Sequence, residues 1–392
     1  MSTFPTKKIL LQGMSRNGNS LVYQSLMSNE AFALYPGRIP FPFPPRRFWP
    51  AFGYEPETAA NLFDLFTEEQ YVFAGDCWEE SRSFSMSKTD VLDTQAMKEA
   101  FCGTFSSPEE IISPEKLPTA FSAFTQVFFD ASKEQRGFGY SPNAQYLLMD
   151  SDMSFNCSPK AFQRALGDDT TFIQIIRNFP DVLASRKNLL LFHDGFRGDP
   201  TEKTLRFNII HAEFIRWVWS LAACRINHGQ APDSYIPIHF ESMLKNRKLV
   251  VSWLCDRLGV PFVESMLDSE RSQPNNYLKK HGKTLPFNTL KAVSGDASVK
   301  RTGTGGMTFN DREKDFIASM LDGFDFSPFD SLDRTDFSEG VSLFCERNSR
   351  YIEEEFLLRR WARLHADLDH PQVMEEFSHY HFGSAPVNAF SS

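Results

Sequence analysis

Two kinds of apolar pattern alternate along this chain. Short continuous runs lie at Lys7–Leu11, Tyr146–Asp150, Thr171–Ile176 and Ser234–Phe240. Runs of that length, apolar on both sides of the 2-residue period, predict strands covered on both faces, as in a parallel sheet. Between them, apolar positions spaced three and four apart predict helices. These open at Asn19-Ser20 and then cover Glu57–Glu69, Val91–Phe101, Leu117–Lys133, Ser158–Leu166, Phe207–Ile226, Lys248–Leu258 and Phe309–Leu321. Gly259 and Pro261 stop one of them, and Asn310 with Glu313 three residues later opens another as a capping box. A short strand at Tyr71–Ala74 and a late helix at Arg350–Leu368 complete the prediction. Strands alternating with helices predict an α/β fold with a central parallel sheet flanked by helices. Beyond about residue 327 the character changes to a charged tail, so the chain reads as one α/β domain over 1–326 and a helical C-terminal extension over 327–392.

Composition narrows the class. With 392 residues, 41% hydrophobic and 23% charged, the chain has the make-up of a soluble globular protein. Its 39 phenylalanines predict an aromatic-rich core or substrate cleft. A net charge of −9 argues against nucleic acid as a partner. The most apolar long run, Phe207–Ile226, carries His211, Glu213, Arg216 and Arg225, which makes it a core helix and not a membrane span. The six cysteines form neither metal-ligand pairs nor a disulfide framework, and the first strand begins almost at once, so no signal peptide is expected. The expectation is a cytoplasmic protein with no metal.

Candidate chemistry begins at Lys7–Leu26, a strand, a turn bounded by Gly13 and Gly18, and a helix. Such a turn aims backbone N–H groups and the positive end of a helix dipole at one point, where an anion, commonly phosphate, binds. Arg16 and Ser20 add a charge and a hydroxyl there. Gly13-x4-Gly18-Asn19-Ser20 matches the phosphate-loop formula except that Asn19 stands in the lysine's place, which argues against an ordinary kinase or ATPase. The same pattern also fits a tight turn that binds nothing. A second strand, Thr171–Ile176, runs into Arg177, with Pro180 and Asp181 suited to a helix's first turn and Ser185 about two turns in; Arg177 and Ser185 would converge on one anion. Lys300-Arg301-Thr302-Gly303-Thr304-Gly305-Gly306 is a basic glycine-rich loop able to wrap a phosphate. The proline-rich stretch Tyr35–Pro50 holds Phe41, Phe43, Phe48 and Trp49 with Arg38, Arg46 and Arg47. It reads either as a lid walling an acceptor pocket or as a surface loop plugging the core edge. Gly75–Glu80 is an acidic turn at the carboxyl edge of the predicted sheet, where α/β proteins bind ligands.

Taken in order, these stretches resemble the sulfotransferases that use 3′-phosphoadenosine 5′-phosphosulfate (PAPS). Gly13-Met14-Ser15-Arg16-Asn17-Gly18-Asn19-Ser20 is similar to the family's 5′-phosphosulfate loop, Arg177-x7-Ser185 to its 3′-phosphate motif, and the 300–306 stretch to its late glycine-rich loop. The likeness spans about residues 7–321 and implies a P-loop-like sulfotransferase fold. It implies that PAPS is the donor and adenosine 3′,5′-bisphosphate the product. By that resemblance, Ser15, Arg16, Asn17, Gly18, Asn19 and Ser20 hold the 5′ end, with Arg16 facing the bridging oxygen. Arg177, Ser185, Lys300, Arg301 and Thr302 hold the 3′-phosphate. The chain departs from the family at Ser15 (usually proline), Asn19-Ser20 (usually a threonine pair) and Gly306-Met307 (usually Asp-Trp). No histidine precedes His193, so the family's early histidine base has no counterpart. Asp76 and Glu79 are the favoured general bases, with Glu55, Glu80 and His193 further candidates. The implied reaction moves a sulfuryl group to a hydroxyl or amine of a small-molecule acceptor. The competing readings are a nucleotide kinase with a degenerate loop and a non-catalytic nucleotide-binding protein.

Overall fold

A computed structural model describes residues 5–14, 17–35, 56–68, 93–136, 141–152, 159–267, 305–329, 337–352 and 390–391. The predicted strand at Tyr71–Ala74, the acidic turn at 75–80, residues 36–50 of the proposed lid, Glu55, and residues 300–304 of the glycine-rich loop lie outside these ranges, as does most of the helix predicted over 350–368.

The central strand β1 (Lys7–Gly13) has Ile9, Leu10 and Leu11 fully enclosed, each stabilising the fold by about 1.5–3 kcal/mol on burial. Around it stand β2 (Phe32–Leu34), β5 (Tyr146–Asp152), β6 (Thr170–Ile176) and β8 (Tyr235–His239), in the order β2-β5-β1-β6-β8 with every neighbour parallel. This is the parallel sheet that the continuous apolar runs predict. The edge strand β2 escapes prediction, because three residues are too short to show a period. Two small antiparallel pairs lie apart from this sheet: β3 (Glu57–Thr58) with β4 (Ile111–Ile112), and β7 (Thr204–Leu205) with β9 (Phe390–Ser391).

Helices cover both faces, as the alternation of side chains along a strand requires. Leu10 of β1 packs into one cluster, while Ile9 and Leu11 pack into the other. The second cluster is closed by α1 (Asn19–Met27), α8 (Phe240–Lys245) and α9 (Arg247–Leu258) through Val22, Leu26, Met243, Val250 and Leu254. The first is larger and holds α2 (Ala59–Glu68), α3 (Thr94–Cys102), α4 (Leu117–Arg136), α5 (Pro159–Leu166), α6 (Phe179–His193) and α7 (Phe207–Gln230). There Phe66 stacks on Phe124 at 4.8 Å, with Phe63, Phe101 and Phe121 around them, so these phenylalanines from α2, α3 and α4 form core. Helix α2 starts two residues later than predicted. Glu57 and Thr58 pair with Ile112 and Ile111, and the Thr58 hydroxyl accepts from Asn61 N–H at the helix start.

Past the main sheet come α10 (Gly305–Thr308), α11 (Asp311–Leu321), α12 (Phe337–Arg347) and α13 (Ser349–Ile352). Helix α11 carries the predicted capping box in full: Glu313 N–H donates to Asn310 Oδ1, and Asn310 N–H donates to Glu313 Oε2. Phe344 of α12 joins the first cluster beside Trp217, Phe324 and Phe326. Cys102, Cys224, Cys255 and Cys345 are free and buried. Among the described residues no helix is long and apolar enough to cross a membrane.

Candidate functional site

The winding of the sheet sets where a ligand can sit. The chain places β5 and β2 on one side of β1, then crosses to place β6 and β8 on the other. The crevice beyond the carboxyl ends of β1 and β6 is therefore the switch point at which open α/β sheets bind ligands. Both predicted anchors rise there, because Gly13 at the end of β1 lies in register with Ile175 of β6, two residues before Arg177.

The first anchor is made of backbone. The turn closes with Asn17 N–H donating to Met14 O at 3.0 Å, and the Asn17 side chain donates through Nδ2 to Ile175 O at 2.7 Å, tying the turn to β6. The Asn17 amide is thereby used by the turn itself. At the mouth stand Gly18, Asn19 and Ser20, at the start of a helix whose N-cap is a glycine without a side chain and whose first turn carries no acid. Gly18 holds φ +104°, and a Cβ there would lie 2.3 Å from the Phe240 ring. At Gly13 a Cβ would lie 2.7 Å from Asn19 Oδ1 and 3.2 Å from Ile175 O. Gly18 is required by its backbone and by the ring beside it, while at Gly13 an added Cβ would press on the Asn19 side chain, buried there in the position of a phosphate-loop lysine.

Side chains make the second anchor. Arg177 sits just past the tip of β6 at 8% exposure, its Cζ 4.5 Å from the centroid of the Phe240 ring. Phe240 thus touches both anchors, with the Gly18 turn and the Arg177 guanidinium each against its ring. Trp217 of α7 donates from Nε1 to Arg177 O at 2.8 Å, holding the backbone at the strand tip. Burial pulls the Arg177 pKa down from its ordinary value, and the carboxylates of Glu241 and Asp181 oppose that.

Glu241 organises this corner. Its Oε1 accepts from Asn178 N–H at 3.1 Å, and its Oε2 lies 2.8 Å from His239 Nε2. His239 Nδ1 pairs with Ser242 Oγ at 2.9 Å, and its ring stacks on Phe329 at 3.8 Å. Burial alone would push the Glu241 carboxyl up; His239, Arg177 and the Asn178 amide outweigh it and hold the acid below its ordinary range.

The predicted residues therefore divide. Asn17, Gly18, Asn19 and Arg177 come together at the switch point. Ser185 is half-buried in the second turn of α6, the helix that Arg177 leads into. Ser20 is the second residue of α1 and His193 the last of α6, both placed by backbone alone. Ser15, Arg16, Asp76, Glu79, Glu80, Lys300, Arg301 and Thr302 lie outside the described residues. Sequence reasoning missed Trp217, His239, Phe240 and Glu241. Three of them follow directly on the strand Tyr235–His239 or end it, so the carboxyl-edge argument applied to Arg177 would have reached them too.

The sequence matches no family model and no curated protein. Among solved structures, the chain is similar to the sulfotransferase domain from the curacin biosynthetic pathway, at 15% identity over 89% of this chain and 99% of that chain, with TM-score 0.40. It is also similar to the sulfotransferase domain of the Synechococcus PCC 7002 olefin synthase, at 15% identity over 75% of this chain and 95% of that one, with TM-score 0.39. A third likeness is to sulfotransferase STF9 from Mycobacterium avium, at 11% identity over 82% and 78%, with TM-score 0.36.

Proposed function

We propose that this chain is a PAPS-dependent sulfotransferase that sulfates a hydroxyl or amine of a small-molecule acceptor. The observation that carries the reading is the meeting of two unlike anion anchors across β1 and β6, a helix start opened by glycine and a buried arginine, with Phe240 between them. A nucleotide with phosphates at its two ends matches that pair, and the Cβ-excluding approaches at Gly13 and Gly18 keep the first anchor open to backbone contact. The amides of Gly18, Asn19 and Ser20 would hold the 5′ end. Arg177 and Ser185 would hold the 3′-phosphate, aided by Lys300, Arg301 and Thr302. PAPS, when bound, supplies the activated sulfuryl group. Arg16 would stabilise charge as that group departs, the electrostatic role common to such transfers. Asp76, Glu79 or His193 would take the acceptor's proton. Asn19 offers no ammonium for a γ-phosphate, which disfavours nucleotide kinase chemistry.

The test is a thermal-shift titration. Adenosine 3′,5′-bisphosphate at a hundredfold excess over its Kd should stabilise the protein by about 2.7 kcal/mol, a rise of a few degrees in Tm, while ATP with magnesium should leave Tm unchanged. Arg177→Ala should weaken the bisphosphate shift, and Arg16→Ala should keep it while removing turnover of PAPS. A shift by ATP and not by the bisphosphate would overturn the reading. Binding without any acceptor sulfated in mass spectra of acceptor pools would reduce it to a nucleotide-binding protein.

A further inference from the structure

The first core hides a complete ion pair. Lys187 and Glu313 have no exposed side-chain surface, and Lys187 Nζ lies 2.7 Å from Glu313 Oε2. All three ammonium protons have partners: Glu313 Oε1 at 2.9 Å, Glu313 Oε2 at 2.7 Å and Thr308 O at 3.0 Å. The carboxylate is equally filled, since Oε1 also accepts from Leu205 N–H at 2.7 Å and Oε2 from Asn310 N–H at 2.8 Å. Asn310 in turn donates from Nδ2 to Thr204 Oγ1 at 2.8 Å, and Lys187 Nζ stands 5.5 Å from the Phe309 ring centroid. One buried node thus joins three places: α6, strand β7, and the junction of α10 with α11.

Stability does not account for such a node. Taking both ions out of water costs several kcal/mol each, and well-packed apolar replacements are often neutral or stabilising. What the pair supplies is direction, because five hydrogen bonds of set length allow one arrangement of the three elements. The arrangement matters for where it lies. Lys187 is two residues past Ser185, so the two side chains leave α6 on different faces, one locked inward and the other half-buried. Thr308, whose carbonyl Lys187 holds, ends α10, which packs on α6 and begins with the last two glycines of the basic glycine-rich stretch.

We propose that the Lys187–Glu313 pair is a positioning device for recognition of the 3′-phosphate: it seats the backbone of Gly305–Thr308 against the helix that carries Ser185. Lys187 itself touches no ligand. This rests on the nucleotide reading above. It says that discrimination between a nucleotide with a 3′-phosphate and one without it is set from inside the core.

Calorimetric titration of the full chain with adenosine 3′,5′-bisphosphate and with adenosine 5′-monophosphate tests this. Wild type should prefer the bisphosphate. Lys187→Met and Glu313→Gln should each lose about tenfold of that preference while changing affinity for the monophosphate less than about twofold. A general loss of structure would weaken both ligands alike and leave the ratio standing. A variant that binds both as wild type does, or weakens both equally, overturns the positioning role. If wild type itself shows no preference, the nucleotide reading falls first, and wild type alone reveals it. Should Lys187→Met fail to fold, Glu313→Gln, which retains an oxygen for Leu205 N–H, decides the matter by the same ratio.

Discussion

The two anchors of the candidate site are built in opposite ways. At the β1–α1 turn, the proposed binding groups are backbone amides, and the described side chains serve mainly to stay out of the way or to tie the turn down. At the β6–α6 corner the proposed binding group is one buried guanidinium, and side chains from β8, α7 and α8 hold it there. The first leaves little room for an added atom at Gly18; the second encloses a charge among its partners. Perturbations should therefore divide by type, steric at one anchor and electrostatic at the other.

The largest effect is expected from Gly18→Ala. A Cβ at φ +104° costs about 1–2 kcal/mol, and its contact 2.3 Å from the Phe240 ring adds about 1–3 kcal/mol of overpacking. The urea midpoint should fall accordingly. Adding Phe240→Ala should remove the contact part and leave the backbone part, so the two substitutions combine to less than their sum. Full additivity would mean that Phe240 is not what requires the glycine.

Glu241→Gln comes next and probes the other anchor. The substitution keeps the shape but removes the charge that faces Arg177 and His239, at a cost of about 2 kcal/mol at neutral pH. Its pH dependence has a definite sign. Because the folded-state pKa of Glu241 lies below its ordinary 4.5, the carboxylate stabilises the fold above that value and its contribution is lost as pH falls through the folded pKa. Urea midpoints of wild type and variant should converge in acid. Parallel curves would assign the cost to shape rather than charge.

How far each anchor could be read from the sequence follows from the same contrast. Backbone sites leave a local trace. Gly13, Gly18 and the helix start that Gly18 opens fall within a few residues of one another, behind a strand whose apolar run is unambiguous. Arg177 was legible for a similar reason, at the tip of an apolar strand before Pro180 and Asp181. Its supports were not. Trp217 lies forty residues away and Glu241 sixty-four, and nothing local links them to Arg177 until the sheet sets β8 beside β6. The Lys187–Glu313 pair is a stronger case, since Glu313 reads completely as a capping-box residue while its carboxylate also serves a lysine 126 positions earlier.

Trp217→Phe should have a moderate effect. It removes the Nε1 donor from Arg177 O at 2.8 Å while leaving most of the ring among Phe179, Phe214 and Phe324. A cost of about 1–2 kcal/mol is expected, chiefly for the unpaired buried carbonyl. Bisphosphate affinity should weaken with it, as the strand tip loses its tether. Stability lost with affinity unchanged would show that Arg177 is held from its side chain alone.

The smallest effect belongs to Glu110, and it isolates what burial contributes at the second anchor. Glu110 also has a depressed pKa, pulled to about 2 by its bond to Lys116 and by the Ser106 amide. Its lysine partner is exposed and the carboxylate itself half-buried, so water and salt reach the interaction and screen it. Glu110→Gln should lower the neutral-pH urea midpoint less than Glu241→Gln does. At 1 M salt, where the screening length is about 3 Å, the Glu110 carboxyl followed by NMR should return toward its ordinary value, whereas that of Glu241 should hold. If salt moved both equally, the corner around Arg177 would be open to water, and its guanidinium would owe its place to the backbone hydrogen bond from Trp217 and not to the enclosed charges of Glu241 and Asp181.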